Sequence, residues 1–261
     1  MKVRKMCLVL AVLMLASAFA AGCGQSAAEP AGSPAAAEET TPSPEPTAQA
    51  EEKKELPPPP DIDIDSWEYL YAGVVCGVSR YHPSVRNIED QLLDSRATSA
   101  TQAFLDAARA EGYKVWIGVG YRNFEYTSFW FEDAMNDYGG SYEAAQVDYI
   151  FPAGCTEHST GLAIDITDEF DLAANYYNMH DETVKDTEVY KWMAEHCAEY
   201  GFIVRYPEGK EDYYVKACYP GHFRYVGVEA AKYIMENDLC FEEFLNLYPE
   251  KKLHVTFGPE A

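Results

Sequence analysis

Apolar positions change their rhythm several times along the chain, and each change marks an element. Trp67 to Val78 (WEYLYAGVVCGV) is dense in aromatic and β-branched residues and predicts a strand. Asp94 to Gly112 carries Ala100, Ala103, Phe104, Ala107 and Ala108 at helical spacing, with Gly112 as its stop. Val115 to Gly120 predicts a short strand running into Tyr121-Arg122-Asn123. Phe124 to Tyr138 predicts a helix ended by Gly139-Gly140, and Ser141 to Gly154 a loop. Gly161 to Thr167 reads as a strand carrying Asp165. Thr187 to Tyr200 places Val189, Trp192, Met193 and Cys197 on one helical face, just before Gly201. Phe202 to Tyr206, Tyr213 to Cys218 and His222 to Val228 predict three successive strands, followed by closing helices over Ala230 to Asn237 and Phe241 to Leu247. Helices precede, interrupt and follow a cluster of strands joined by short links. The expected class is α+β: a small, mostly antiparallel sheet flanked by helices, in a single domain.

The N-terminal pattern is different in kind. Lys2, Arg4 and Lys5 precede an apolar run from Cys7 to Ala21, which Gly22-Cys23 closes. The run is short for a membrane span and has the layout of a signal peptide over residues 1–22. Ala20-Ala21-Gly22-Cys23 resembles the lipobox of bacterial lipoproteins, although Ala20 stands where Leu is usual. That resemblance implies diacylation of Cys23, a two-chain anchor, and export to the outer face of the cell membrane. The alternative is secretion to the cell wall. From Gln25 to about Pro60 the chain is mostly Ala, Glu, Pro, Ser and Thr, without aromatic residues. Such a segment buries too little apolar surface to offset its ordering entropy, so residues 23–60 are expected to be a lipidated cysteine and a disordered tether. Residues 61–261 are then the folded domain, which holds nearly all of the Tyr 20, Phe 12 and Trp 4.

A formal charge of −23 argues against nucleic acid and against an electrostatic grip on anionic lipid, leaving the anchor as the membrane contact. A monomer is expected. With Cys7 removed and Cys23 modified, Cys76, Cys155, Cys197, Cys218 and Cys240 remain, and none forms a C-x-x-C pair.

The chemistry concentrates in Cys155-Thr156-Glu157-His158-Ser159-Thr160-Gly161-Leu162-Ala163-Ile164-Asp165 and His222-Phe223-Arg224-Tyr225-Val226-Gly227. His158, Asp165 and His222 offer two imidazoles and a carboxylate, three N/O ligands of the kind that leave a catalytic zinc one open position. On spacing alone the triple is a weak signal, since six histidines and 43 acids generate such sets by chance. His82, His180, His196 and His254 match no motif and read as ordinary histidines.

These blocks resemble a known family. Residues 154–166 are similar to the SxHxxGxAxD signature of zinc D-alanyl-D-alanine carboxypeptidases of the VanY type. Tyr200 to Pro207, Lys210 and His222 to Gly227 are similar to its YGFI.RYP..K and ExWHxRYVG blocks, and Gly120-Tyr121-Arg122 to its SGYRS segment. The resemblance implies that His158, Asp165 and His222 ligate zinc and that Arg122 binds substrate and stabilises the developing oxyanion. Thr156 takes the place of the signature's first, substrate-side Ser. It also implies a carboxypeptidase removing a terminal D-amino acid from peptidoglycan stem peptides. Were both motifs to converge on one metal, Cys155 and Cys218 would come within bridging distance; the alternative is buried thiols.

The departures lie in the second motif. The family's general-base Glu, three residues before the last ligand, is here Tyr219, and the Trp before that ligand is Gly221. Gly221 opens the pocket wall, which suggests a different or larger ligand. Asn123 replaces the Ser after Arg122, and Thr127 stands where Gln is frequent. Glu157, Glu208 and Glu211 lie nearby in sequence but read as solvated loop charges. Two functions therefore stand: an active metallo-carboxypeptidase with altered or weak activity, or a catalytically impaired module that binds wall peptides.

Overall fold

The computed structural model describes residues 55–73, 77–78, 81–141, 152–168, 182–214 and 220–251. The chain divides into two compact units, Met1–Glu52 and Lys53–Ala261, and all described residues belong to the second.

A hairpin comes early. Strands β1 (Val85–Ile88) and β2 (Gln91–Asp94) pair antiparallel, with Ile88 opposite Gln91. Their link, Glu89-Asp90, has both residues at positive φ, 51° and 64°. Two-residue hairpins favour this mirror-image geometry because it matches strand twist, usually through Asn-Gly or Asp-Gly. Glu-Asp takes it here. Asp94 consequently ends a strand, and the helix expected from that residue, α1, spans Thr98–Ala110.

β3 (Trp116–Val119) follows, then α2 (Phe124–Asp137), whose first turn is capped by Asn123 Oδ1 accepting from Tyr126 N at 2.8 Å. The remaining elements are β4 (Ala163–Thr167), α3 (Glu188–His196), β5 (Phe202–Val204), β6 (His222–Tyr225), α4 (Val228–Glu236) and α5 (Phe241–Leu245). Strands β3-β4-β6-β5 form one antiparallel sheet in that order. The α+β expectation holds.

Alternation along these strands decides what each face carries. Ile164, Ile166, Phe202, Val204 and Phe223 turn toward α1 and α3, where they pack with Leu105, Ala108 and Met193 around Phe104. The Phe104 ring lies 5.3 Å from Tyr200 and Phe202 and 5.6 Å from Phe223. Asp165 and His222, cross-strand partners, turn the other way, as do Ala163 and its partner Arg224. Beside them a second core joins Ile203 and Val226 to α4, α5 and the aromatic residues Tyr69 and Tyr71.

Two strand expectations, Trp67–Val78 and Tyr213–Cys218, fail only at the residues the structure describes, and residues 74–76 of the first lie outside them. Trp67–Tyr69 is a 3-10 turn. Its aromatic rings pack instead of entering a ladder: Trp67 stacks on Tyr225 at 5.8 Å, and Tyr69 meets Phe244. Tyr213 ends a 3-10 turn begun at Glu211, while residues 215–218 of that expected strand lie outside the described residues. The carbonyls of Pro57 and Pro60 accept hydrogen bonds from Tyr233 and Tyr248, joining that end of the expected tether to α4 and the segment after α5.

Candidate metal centre

Asp165 sits on β4, between β3 and β6, and the register places His222 directly opposite it. His222 Nδ1 lies 2.7 Å from Asp165 Oδ1. His158 arrives from another element, the 3-10 turn Glu157–Thr160 that leads into β4, and its Nε2 lies 3.2 Å from Asp165 Oδ2. Gly161 ends that turn at φ 73°, and a Cβ there would stand 2.9 Å from the backbone nitrogen of Asp94. The same nitrogen donates to Gly161 O at 2.9 Å, so glycine lets the β2 hairpin strand grip the turn that presents His158.

The two imidazole rings cross at 84° with centroids 5.0 Å apart. One donor atom from each of His158, Asp165 and His222 falls within 4.8 Å of the others, and all three residues are buried. Two imidazole nitrogens converge on a single carboxylate, and Nδ1 of His158 is buried without a hydrogen-bond partner among the described residues. Burial, which penalises the charged ring, pushes His158 down and keeps it neutral, the form that binds metal. Burial would raise Asp165, but the two histidines outweigh it and hold the carboxyl well below its ordinary value. In His222 burial opposes the charge, but Asp165 and Glu157 together outweigh it, so that ring is pushed up. The donor set fits zinc: three N/O ligands, two from neighbouring strands and one from the turn that leads into β4, with a position left for water or substrate.

Arg122 follows β3, and its backbone N–H donates to His158 O at 3.1 Å, tying it to the ligand-bearing turn. Its guanidinium is half-buried and lies 5.9 Å from the centre of the Tyr126 ring. Thr156 immediately precedes the turn, and its carbonyl accepts from Ser159 N at 3.0 Å. Cys155 is half-buried beside it. Tyr219, Cys218 and Cys23 lie outside the described residues, and so does the suggested Cys155–Cys218 pairing. His196 pairs with Glu199 at 2.8 Å and is not one of the clustered ligands, and His82 is exposed.

Glu157 corrects its sequence expectation. Glu208 and Glu211 are exposed loop charges, but Glu157 is 2 % exposed and sits among cations. Its Oε1 accepts from Arg205 Nε at 2.7 Å and lies 3.4 Å from Arg224 Nη1, an ion pair without hydrogen-bond alignment. Its Oε2 lies 3.4 Å from His222 Nε2. Burial would raise this carboxyl; Arg205 and Arg224 outweigh it and hold Glu157 far below the ordinary range. Arg205 reaches on to Glu242 of α5 through two hydrogen bonds, at 2.9 and 2.5 Å. Arg224 Nη2 donates to the carbonyls of Glu68 and Leu70. A signal was present in the sequence: Arg205 follows the apolar run Phe202-Ile203-Val204, and Arg224 stands between Phe223 and Tyr225. Arginine is almost never buried in such strands unless a carboxylate meets it.

The family profile "VanY: D-alanyl-D-alanine carboxypeptidase" matches residues 90–228. The chain is 35 % identical over 157 residues to the putative carboxypeptidase YodJ of Bacillus subtilis, covering 60 % of this chain and 55 % of that protein. Among solved structures it is similar to the LdcB LD-carboxypeptidase, with 34 % identity, a TM-score of 0.53, and coverage of 63 % of this chain and 75 % of that one. It is likewise similar to a variant of the vancomycin-resistance D,D-pentapeptidase VanY in complex with Zn(II), with 28 % identity, a TM-score of 0.57, and coverage of 69 % and 100 %. The chain spans about half the length of the curated relatives it matches.

Proposed function

The chain belongs to the VanY family of D-alanyl-D-alanine carboxypeptidases, and from that premise we propose that it is a zinc-dependent carboxypeptidase removing a terminal D-alanine from peptidoglycan stem peptides. The observation that carries this reading is the convergence of His158, Asp165 and His222 within 4.8 Å. Zinc held by these three side chains would supply a Lewis acid for the scissile carbonyl and a bound water with pKa near about 7. Arg122, tethered to His158 through the backbone, offers a planar fork that grips an anionic substrate group and faces the charge developing on the carbonyl oxygen. Thr156 retains a hydroxyl on the substrate side. Export through residues 1–22, lipidation of Cys23 and a tether would hold a monomeric domain at the outer face of the membrane, within reach of the wall.

Tyr219 bears on the rate. A phenol with a reference pKa of about 10 is a poor base, although it can donate a hydrogen bond or protonate the leaving amine. Proton transfer by a placed side chain is worth about 10²–10⁴-fold, so the proposed activity is weak. The same substitution favours a second reading, in which the pocket binds wall peptides without cleaving them.

Zinc content and release of D-alanine from a D-Ala-D-Ala-terminated muropeptide separate the two readings. Slow release is expected from the purified protein, none from His158→Ala, and an acceleration of up to about 10²–10⁴-fold from Tyr219→Glu. A zinc-loaded wild type that releases nothing, beside an active Tyr219→Glu, would overturn the enzyme in favour of the binding module. Failure of metal-replete protein to hold zinc would overturn both.

A further inference from the structure

Beneath the metal triad lies a set of buried charges that the proposed reaction does not use: Glu157, Arg205, Arg224 and Glu242, each no more than 2 % exposed. Buried ion pairs seldom repay their desolvation, and apolar side chains of similar volume often do as well for stability. The arrangement therefore calls for a task other than holding the fold.

Its geometry supplies one. An imidazole that binds a metal does so through an unprotonated nitrogen, and its proton then sits on the other nitrogen. His222 turns Nδ1 toward Asp165, at 2.7 Å, and Nε2 toward Glu157 Oε2, at 3.4 Å. The second oxygen of Glu157 is taken by Arg205 and Arg224. Arg205 is anchored at its far end by Glu242. The carboxylate is thus fixed from behind and presents one free edge to the back of the ring. Tyr206 packs on the ring face at 5.2 Å.

We propose that Glu157 is the positioning residue of His222, an acceptor that keeps the proton on Nε2 and the ring turned so that Nδ1 joins the ligand set. Partners of this kind beyond the ligands typically govern metal affinity by about 10–100-fold. The inference rests on His222 being a metal ligand.

The experiment measures zinc affinity of the full chain by competition with a chromophoric chelator, together with the visible spectrum of the cobalt-substituted protein. Glu157→Gln is expected to bind zinc about 10–100-fold more weakly and to shift the cobalt bands. Glu157→Asp keeps a charge for both guanidiniums but withdraws the carboxylate by one methylene; it should fold and lose affinity in the same direction. Glu242→Gln disturbs the same Arg205 without touching His222 and is expected to stay within about threefold of wild type, since the typical effect belongs to direct partners of the ligand. In zinc-loaded wild type a slowly exchanging His222 Nε2 proton should be visible by NMR. Glu157 variants that bind zinc as tightly as wild type, an equal loss in Glu242→Gln, or an Nε2 proton exchanging freely with water would each overturn the inference. A wild type that binds no zinc would instead overturn the metal reading on which it stands.

Discussion

Ile164 and Asp165 are neighbours on β4, and both are buried, at 0 % and 2 % exposure, yet the surfaces they meet differ in kind. Ile164 joins Ile166, Phe202, Val204 and Phe223 against Phe104 and Met193. Asp165 joins His222 and His158, with Arg224, Arg205, Glu157 and Glu242 close by. On the first face the stabilising force is non-directional, about 25 cal/mol per Å² of apolar surface removed from water, and swaps that conserve volume cost under about 1.5 kcal/mol. On the second, each charge is tolerable only while its partner is present, because removing one leaves the other buried and unmatched. One sheet thus carries a face that forgives changes of shape and a face that forgives no change of charge.

The sharpest way to break that contrast is Arg205→Met. Methionine fills much of the same space but leaves Glu157 and Glu242 without the cation between them. The expected loss is about 3–5 kcal/mol, the usual result of stripping one partner from a buried pair, read as a lower midpoint in urea unfolding. Met193→Leu, on the opposite face, should cost less than about 1.5 kcal/mol. Equal losses would mean that the charged face is held by packing alone.

Gly161→Ala probes the joint between the hairpin and the charged face. Its φ of 73° is disfavoured for alanine, and the added Cβ would press on the Asp94 nitrogen at 2.9 Å. A loss of about 1–3 kcal/mol is expected from such backbone strain. The turn that presents His158 would shift with it, so zinc affinity should fall as well. A stability loss with unchanged zinc affinity would show that the turn does not set the ligand.

These differences also explain what could be read in advance. Periodicity reveals faces that are apolar throughout, and α1, α2 and α3 were legible from it to within a few residues. It misses elements that rest on backbone geometry: the β1–β2 hairpin turns at Glu89-Asp90 without glycine, and its last residue was absorbed into the next helix. It overvalues aromatic density, as at Trp67–Tyr69, where large rings pack from a 3-10 turn. His158, Asp165 and His222 stood out through motif resemblance, because their spacing alone is common. Glu157 did not, since a lone glutamate in a loop is usually solvated. Only the cations, Arg205 just after one apolar strand and Arg224 inside another, signalled that a carboxylate had to be buried opposite them.

The mildest test asks whether the two faces are independent. Ile164→Val removes one methylene from the apolar face while keeping a β-branched side chain in β4, so strand geometry is retained. The expected destabilisation is about 0.5–1.5 kcal/mol. Because Ile164 points away from Asp165 across the same backbone, zinc affinity should stay within about twofold of wild type, as for sites that share no partners. The cobalt spectrum should be unchanged. A larger fall in affinity would mean that the ligand geometry is set by packing behind the sheet as well as by Glu157 in front of it. The double variant Ile164→Val with Glu157→Asp decides between these: additive effects on zinc binding keep the faces separate, and a coupling above about 0.5 kcal/mol joins them.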